Sequence, residues 1–446
     1  MTLREFIVIL GCLLLLSSPS LAQNTSFNLE DALIAVKSTP DWQVANLNYQ
    51  TARRNLESAQ AASGINLSAS GSYNLSQPVS SSVTASSTGS VSLTAIVTVL
   101  PWSPAYDGIR NAQRALQRAE LDLSDTQNSL TLNTISSYFA ARIATFDVTL
   151  SEDGQKLSEA LLRIANLKYQ NGQTTITDVL TAEQNLANAQ LTLLNAQNTV
   201  QINFASLGVN PGTTLSSTAT NIEPPQGTPE ILVKGALERR SDVLKAQLKL
   251  RDAEDALRNA ERDRLVPNAS LNVGYGQPTG GSNISANLNF QSGTASVTGT
   301  VPVTANSSNS TALSISVSAS FPILAPSSDA KINAARTGLE VAKANLESAK
   351  RTAALDVLGR YSEMMTARSR VKVAMSALET AKKTLETASA RNQAGLNTAL
   401  EVQQSTLNLA QANRDLENSS VNAMISTYKL QIAIGDFTLV SQGDTK

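Results

Sequence analysis

Proline is confined to a few stretches of this chain, and that confinement limits the possible fold more than any other feature. None of the 14 prolines falls in 105–210 or 327–446. A proline inside a helix removes a donor and clashes with the preceding turn. Two proline-free windows of more than 100 residues each, rich in Ala, Leu, Gln, Asn and Lys, therefore predict long helices. Eleven of the 14 gather at Pro101 and Pro104, from Pro211 to Pro229, and from Pro267 to Pro326. Linkers and strands are expected there.

The windows are copies of each other. Tyr138 and Tyr361 lie 223 apart, and the same offset relates Gly172 to Gly395, Val179 to Val402 and Leu186 to Leu409. An earlier block repeats at 201, where Ala45, Ala52, Leu56 and Ala59 match Ala246, Ala253, Leu257 and Ala260. The offset grows between the blocks, and the extra length falls between Tyr275 and Ser316. Such self-similarity marks an internal duplication.

Each copy carries a heptad seam. Val179, Ala182, Leu186, Ala189, Leu193, Ala196 and Val200 step by 3 and 4, and Val402, Ser405, Leu409, Ala412, Leu416, Ser419 and Ala423 repeat the pattern. Leu116, Ala119, Leu123, Thr126 and Leu130 pair likewise with Leu339, Ala342, Leu346, Ala349 and Ala353. This is the spacing of knobs-into-holes packing, with large and small residues alternating so that helices approach closely. A helix over 105–170 or 327–393 would span about 100 Å at about 1.5 Å per residue. The return helices, 173–207 and 396–435, are shorter. Helices over 41–64 (Thr39 as cap, Pro40 first, Gly64 at the end) and 241–264 (opened by Ser241, closed before Pro267) supply the missing length.

Between the helical blocks the period changes to two. Val91, Leu93, Ala95, Val97 and Val99 alternate largely with Ser and Thr, and Leu313, Ile315, Val317, Ala319 and Phe321 alternate with Ser. Residues 66–76 and 268–276 are weaker versions. A half-solvated soluble sheet and a membrane barrel with a wet lumen both show this alternation. No apolar helix is available to cover such a sheet. Residues 1–22 also read as a secretory leader: Arg4, an apolar run from Phe6 to Leu16, and Ser20-Leu21-Ala22 before Gln23. Ile9-Leu10-Gly11-Cys12 fits a lipidation box less well, because it leaves only Phe6 to Leu10 as apolar core. No later stretch has 18 uninterrupted apolar residues, so no transmembrane helix is expected. The barrel reading follows. Four strands cannot close a barrel, and an open edge is not tolerated in lipid, so copies must share the wall.

The resulting organisation has a leader at 1–22 and a first repeat at 28–210, made of helices 28–64, a strand hairpin 65–101 and a helical hairpin 104–207. A linker at 211–228 leads to a second repeat at 229–436, made of helices 229–264, a strand hairpin 267–322 and a helical hairpin 327–435, with a tail at 437–446. The expected class is an α+β membrane protein. A transmembrane β-barrel shared between chains, four strands from each, continues into a long α-helical coiled-coil barrel.

Composition closes most routes to catalysis. There is no histidine, and the one cysteine is Cys12 in the leader. A mature chain would then have no disulfide, no Cys/His zinc site, no thiol nucleophile and no Ser-His-Asp triad. With 35 basic and 36 acidic residues, the chain has no polybasic face for nucleic acid. Aromatic residues, at 4%, are too few for a large conventional core. No cofactor, metal or enzymatic activity is expected, and five methionines without histidine argue against a soft-metal relay.

The ordered set of short helix, strand hairpin and long helical hairpin, present twice over about 28–436, resembles the TolC family of outer-membrane efflux and secretion channels. The resemblance also rests on Leu29-Glu30-Asp31-Ala32-Leu33 at the opening of the first repeat and on Tyr138 and Tyr361 within the long helices. Residues 169–180, from Tyr169 through Asn171-Gly172-Gln173 to Leu180, look like the family's helix-tip turn. Residues 392–402, through Ala394-Gly395-Leu396-Asn397, look like its second copy. The resemblance implies a homotrimer with about twelve strands in the outer membrane and a helical tunnel across the periplasm. It implies a passive conduit whose tips dock on a periplasmic adaptor (membrane fusion protein) and an inner-membrane pump or ABC transporter. A secreted structural or adhesive coiled-coil protein is the rival reading.

Several positions carry specific expectations. Gly172 and Gly395 reverse the chain, and the turns around them are candidate docking surfaces. Asp178 and Glu401 each lie six residues past a glycine. An acid there stabilises a helix N-terminus, and this reading suits Asp178. In the resembling family the second-repeat acid narrows the tunnel mouth, which assigns Glu401, with Gln404, to a pore constriction. Family members add a second acid three residues on, plus Tyr and Arg near the turn that latch it. Here those places hold Gln404, Asn392 and Asn397, so the latch departs from the family pattern. Trp102, between Pro101 and Pro104, and Tyr106 are candidates for a membrane interface, with packing at a strand-to-helix bend as the alternative. Glu152-Asp153 reads as solvated surface, and 279–311 as an extracellular loop with short strands.

Overall fold

The computed structural model describes residues 26–76, 86–277, 281–303, 311–321 and 323–437. The leader at 1–22 and nearly all of the tail lie outside the described residues. Helices α1 (Leu29–Val36) and α2 (Pro40–Ala62) precede strands β1 (Asn66–Ser76) and β2 (Ser86–Thr98). Helix α3 (Pro104–Gln170) and its return α4 (Ile176–Ser206) complete the first half. The second half runs α5 (Pro229–Arg239), α6 (Ser241–Leu265), β3 (Asn268–Gly276), β4 (Asn283–Asn289), β5 (Thr294–Pro302), β6 (Ala312–Ser320), α7 (Pro326–Gln393) and α8 (Ala399–Ala433). Four helices begin on a proline: Pro40, Pro104, Pro229 and Pro326. The missing N–H costs nothing at the first helical position, where it has no partner anyway.

The chain forms two compact units, and both halves contribute to each. The first comprises residues up to Thr39, Leu130–Pro225 and Ser362–Lys429. Its core joins Ile135, Tyr138 and Phe139 of α3 to Phe204 of α4, Val421 and Met424 of α8, and Leu215 of the linker. Tyr138 is fully buried, and its hydroxyl is used twice. It donates to the Phe27 carbonyl at 3.0 Å and accepts the Ser217 N–H at 2.9 Å. Phe27 and Leu215 form a parallel bridge, and Arg142 donates to the Leu215 carbonyl at 2.7 Å. The linker is therefore strapped to the bundle through backbone groups that would otherwise be buried without partners. Arg142 also pairs with Glu417 at 3.1 Å, and Arg414 with Asp147 at 2.8 Å, tying α3 to α8.

The second unit comprises Pro40–Ser129, Gln226–Tyr361 and the residues from Leu430 on. Its helices pack through Val243 of α6 against Leu346 and Ala353 of α7. A ladder of ion pairs joins α3 to the antiparallel α6. Asp107 meets Arg262 at 3.0 Å, and Arg114 meets Asp255 at 2.8 Å. Arg114 and Arg118 share Asp252, and Asp122 and Asp125 share Lys245.

All strands among the described residues lie in one antiparallel sheet of this unit, in the order β1-β2-β5-β4-β3-β6. Where four strands are expected per chain, the described residues form six. The difference comes from 279–311, read above as a loop with short strands, which supplies β4 and β5 as full members of the sheet. Their alternation explains why. Ile284, Ala286 and Leu288 on β4 recur at every second residue, and Ala295, Val297 and Val301 on β5 keep the same face, with Gly299 between the last two. A composition otherwise of Ser, Asn, Thr and Gly hides that period. Register keeps like with like across the whole sheet. Tyr275 faces Leu313 and Ile284, Leu271 faces Val317 and Leu288, Val297 faces Ala286 and Ala95, and Leu93 faces Ala69.

Candidate functional site

Two places stand out, the sheet and the paired helix tips. One face of the sheet is apolar on all six strands and is open in the protomer: Leu67 is 67% exposed and Val317 74%. The opposite face is mostly Ser, Thr and Asn, with Ile96 as its one large apolar residue. There hydroxyls and amides pair across strands, as in Ser72–Ser90 at 3.0 Å, Ser92–Thr300 and Thr94–Thr298 at 3.1 Å, and Asn287 to Asn272 at 2.8 Å. Among the described residues no strand contains a charged residue. The outer strands β1 and β6 each pair on one side only. A soluble sheet blunts its edges with charge, and this one does not.

Aromatic side chains mark both ends of the apolar face. Tyr73 and Tyr275 sit toward one end. Trp102, Phe290 and Phe321 sit at the other, where the Trp102 indole N–H donates to the Phe290 carbonyl at 2.9 Å. From Ala269 to Tyr275 a strand covers about 20 Å at ~3.4 Å per residue. Trp102 is 37% exposed, while Tyr106, in the first turn of α3, is half-buried. Of the two interface candidates, Trp102 is the one tied to the sheet's aromatic end. Phe290 was not singled out in the sequence, because its partner lies 188 residues away.

The helix tips both belong to the first unit. Gly172 and Gly395 have φ of 69° and 71°. A side chain is strained in that region, and glycine is not. The hydrogen bonds are the same in both turns. Gly172 donates to Tyr169 at 2.9 Å and Gln173 to Lys168 at 2.8 Å, while Gly395 donates to Asn392 at 2.9 Å and Leu396 to Arg391 at 2.8 Å. The carbonyls left over at each helix end are thereby satisfied. Asn171, Gln173, Ala394 and Leu396 are exposed, and Asn397 is half-buried.

Beyond the turns the copies part. At the start of α4 the Thr175 hydroxyl accepts the Asp178 N–H at 3.3 Å. The Asp178 carboxylate in turn accepts from the Thr174 hydroxyl at 2.5 Å, the Thr175 N–H at 3.0 Å and the Thr175 hydroxyl at 2.8 Å. This is a reciprocal capping box. The Thr174 hydroxyl first, then the Thr175 backbone and hydroxyl, lower the Asp178 pKa from 3.8 to about 2. At the start of α8 the Thr398 hydroxyl accepts the Glu401 N–H at 3.4 Å. The Glu401 carboxylate has no hydrogen bond or ion pair among the described residues. It opens into a groove of about 680 Å³ that also holds Lys383, Arg391, Asn397 and Gln404. Asn392 spends its amide on the Asn397 carbonyl of its own turn at 2.8 Å, and Gln404 donates to Asn408 one turn on at 3.0 Å. The basic pair beside Glu401 went unnoticed in the sequence, although an antiparallel hairpin folded at Gly395 brings Arg391 level with it.

No described helix is long and apolar enough to cross a membrane. A family model described as outer membrane efflux protein matches residues 34–209 and 232–436. No curated protein matches the sequence. Among solved structures, the outer membrane protein VceC of Vibrio cholerae is similar at 17% identity and a TM-score of 0.65, covering 92% of this chain and 96% of its own. The Campylobacter jejuni CmeC outer membrane channel gives 17% and 0.67, covering 92% and 86%. The Neisseria gonorrhoeae MtrE outer membrane channel gives 15% and 0.59, covering 94% of each chain. At these identities the likeness is one of fold.

Proposed function

This chain belongs to the outer membrane efflux protein family, and from that premise we propose that it is a trimeric exit duct of a tripartite efflux or type I secretion system. The observation that carries this reading is the uncharged, two-faced sheet with both edges open. An apolar face of that extent needs lipid, and edge strands without charge need partners. Three copies joined β1 to β6 satisfy both needs and turn the Ser, Thr and Asn face toward a wet lumen. The helices support the same assembly. On α4 the heptad seam is turned inward, while Ile176, Leu180, Leu191, Leu194 and Ile202 are exposed. These five fall within an arc of about 80° on the opposite side of the helix. Such a second apolar stripe suits a helix with a neighbour on each side.

In this reading the sheet is the outer-membrane wall, Trp102 marks its periplasmic border, and the helices form a passive periplasmic tunnel. The Gly172 and Gly395 turns meet the adaptor, and an inner-membrane pump or transporter drives the cargo. Glu401, the acid left free of its cap, faces the tunnel mouth.

Crosslinking and mass measurement of the detergent-extracted protein test the proposal. Trimers that require detergent are expected. A chain extracted without detergent, or one that stays monomeric, would point instead to a secreted coiled-coil protein.

A further inference from the structure

Repeat symmetry alone would give each chain four wall strands, the hairpin β1–β2 and its counterpart β3–β6. The strands β4 and β5 have no counterpart among the described residues of the first repeat. Taking the duct reading as its basis, we infer that this inserted hairpin is part of the barrel wall and sets its bore, so that three copies close a wall of eighteen strands in place of twelve.

The hairpin is seated as wall. It lies between β2 and β3 and is hydrogen-bonded to both, with β2 pairing to β5 over Ser90–Thr98 and β3 to β4 over Ser270–Gly276. The polar face continues across it through Thr94–Thr298 and Asn287–Asn272. The apolar face continues through Val91–Val301 and Leu271–Leu288. A solvated loop has no use for apolar residues gathered on one face of both its strands, and no reason to match its neighbours on both faces. The whole stretch 266–328 is free of charge, so no charge falls on the face that would meet lipid.

The geometric consequence follows from strand spacing. With strands ~4.8 Å apart and tilted by ~40°, twelve strands give a backbone diameter of about 24 Å and eighteen about 36 Å. Side chains fill about 5 Å on the inner face, so the clear bore rises from about 14 to about 26 Å. The cargo this wall admits is accordingly bulkier than a twelve-strand wall would pass. Its lining carries no charge, so the wall favours neither sign.

Deletion of residues 283–302 is the direct test, because it leaves β2 and β3 antiparallel and free to pair. Barrel diameter is read by electron microscopy of the detergent-extracted trimer, and bore by the largest uncharged polyethylene glycol that enters from the strand side in planar bilayers. The wall diameter should fall by about one third, with a matching drop in polymer cut-off and an unchanged trimer. A second test needs no deletion. The double variant T94C/T298C, in a chain whose only other cysteine is Cys12, should form an intramolecular crosslink on oxidation. A trimer of equal diameter with and without 283–302, or a failed T94C/T298C crosslink in an intact trimer, overturns this inference alone. A full-length chain that is monomeric in detergent overturns the duct reading beneath it.

Discussion

The two repeats hold the same residues at the same offsets and put them to different uses. Tyr138 is fully buried and bonded at its hydroxyl to Phe27 and Ser217. Its counterpart Tyr361 is half-buried, with no hydroxyl bond among the described residues. Asp178 is locked into a capping box, and Glu401 is not. The first strand hairpin is plain, and the second carries two more strands. Duplication supplied two copies of one scaffold. In the first copy polar groups are consumed in holding the linker and the tip, and in the second the equivalent groups stay available to something outside the protomer.

The largest expected effect separates the two tyrosines. Tyr138→Ala should cost about 3–5 kcal/mol by emptying a buried aromatic site. Tyr138→Phe should cost about 1–3 kcal/mol, because it leaves the Phe27 carbonyl and the Ser217 N–H unpaired. Tyr361→Phe should stay within about 0.5 kcal/mol of wild type. Denaturant unfolding of the detergent-extracted protein measures all three, and equal losses at both positions would break the comparison.

Next come the caps. Thr175→Ala should lose about 1 kcal/mol of tip stability, and Thr398→Ala less, since the second cap is one-sided. Amide exchange at the first turns of α4 and α8 reports each locally. The acids sharpen this through pH. The folded pKa of Asp178, about 2, lies below its ordinary 3.8. Its cap is therefore at full strength above about pH 4 and is lost as pH falls through about 2. The first tip should fray over that window in wild type, and Asp178→Asn should fray already at neutral pH.

The smallest effect on stability belongs to Glu401→Gln, which keeps size and removes charge. The thermal midpoint should not move, while cation preference in planar bilayers should fall. Selectivity that follows Asp178→Asn instead would reverse the roles of the two tips.

Much of this was legible in the sequence, and the exceptions have a common cause. The seam of α4 is the clearest case. Of its residues from Val179 to Val200, only the seven on the 3–4 spacing are buried or half-buried. Strands β1 and β3 run over 66–76 and 268–276, as the alternation indicated. Local periodicity is enough for such features. It is not enough where the deciding partner is distant or the choice is conformational. Phe27 and Ser217 lie 111 and 79 residues from Tyr138, so the strap leaves no local trace. Thr175-Ile-Thr-Asp178 and Thr398-Ala-Leu-Glu401 both spell a capping box, yet only the first carboxylate turns back on its cap. In β4 and β5 the period was present, but three apolar residues in each strand are a weak signal among so many Ser, Asn and Thr.

The inserted hairpin has a consequence for how such a protein changes over generations. A hairpin enters and leaves at the same end of the sheet, so β6 runs in the same direction with or without it, and α7 begins at the same end of the sheet. Strands can therefore be gained or lost in pairs without altering the helices that follow. In the duct reading proposed above, the gauge of the wall and the surface presented by the tips would then be separately heritable, so that an outlet widens for a new class of cargo while the proposed docking surface is kept.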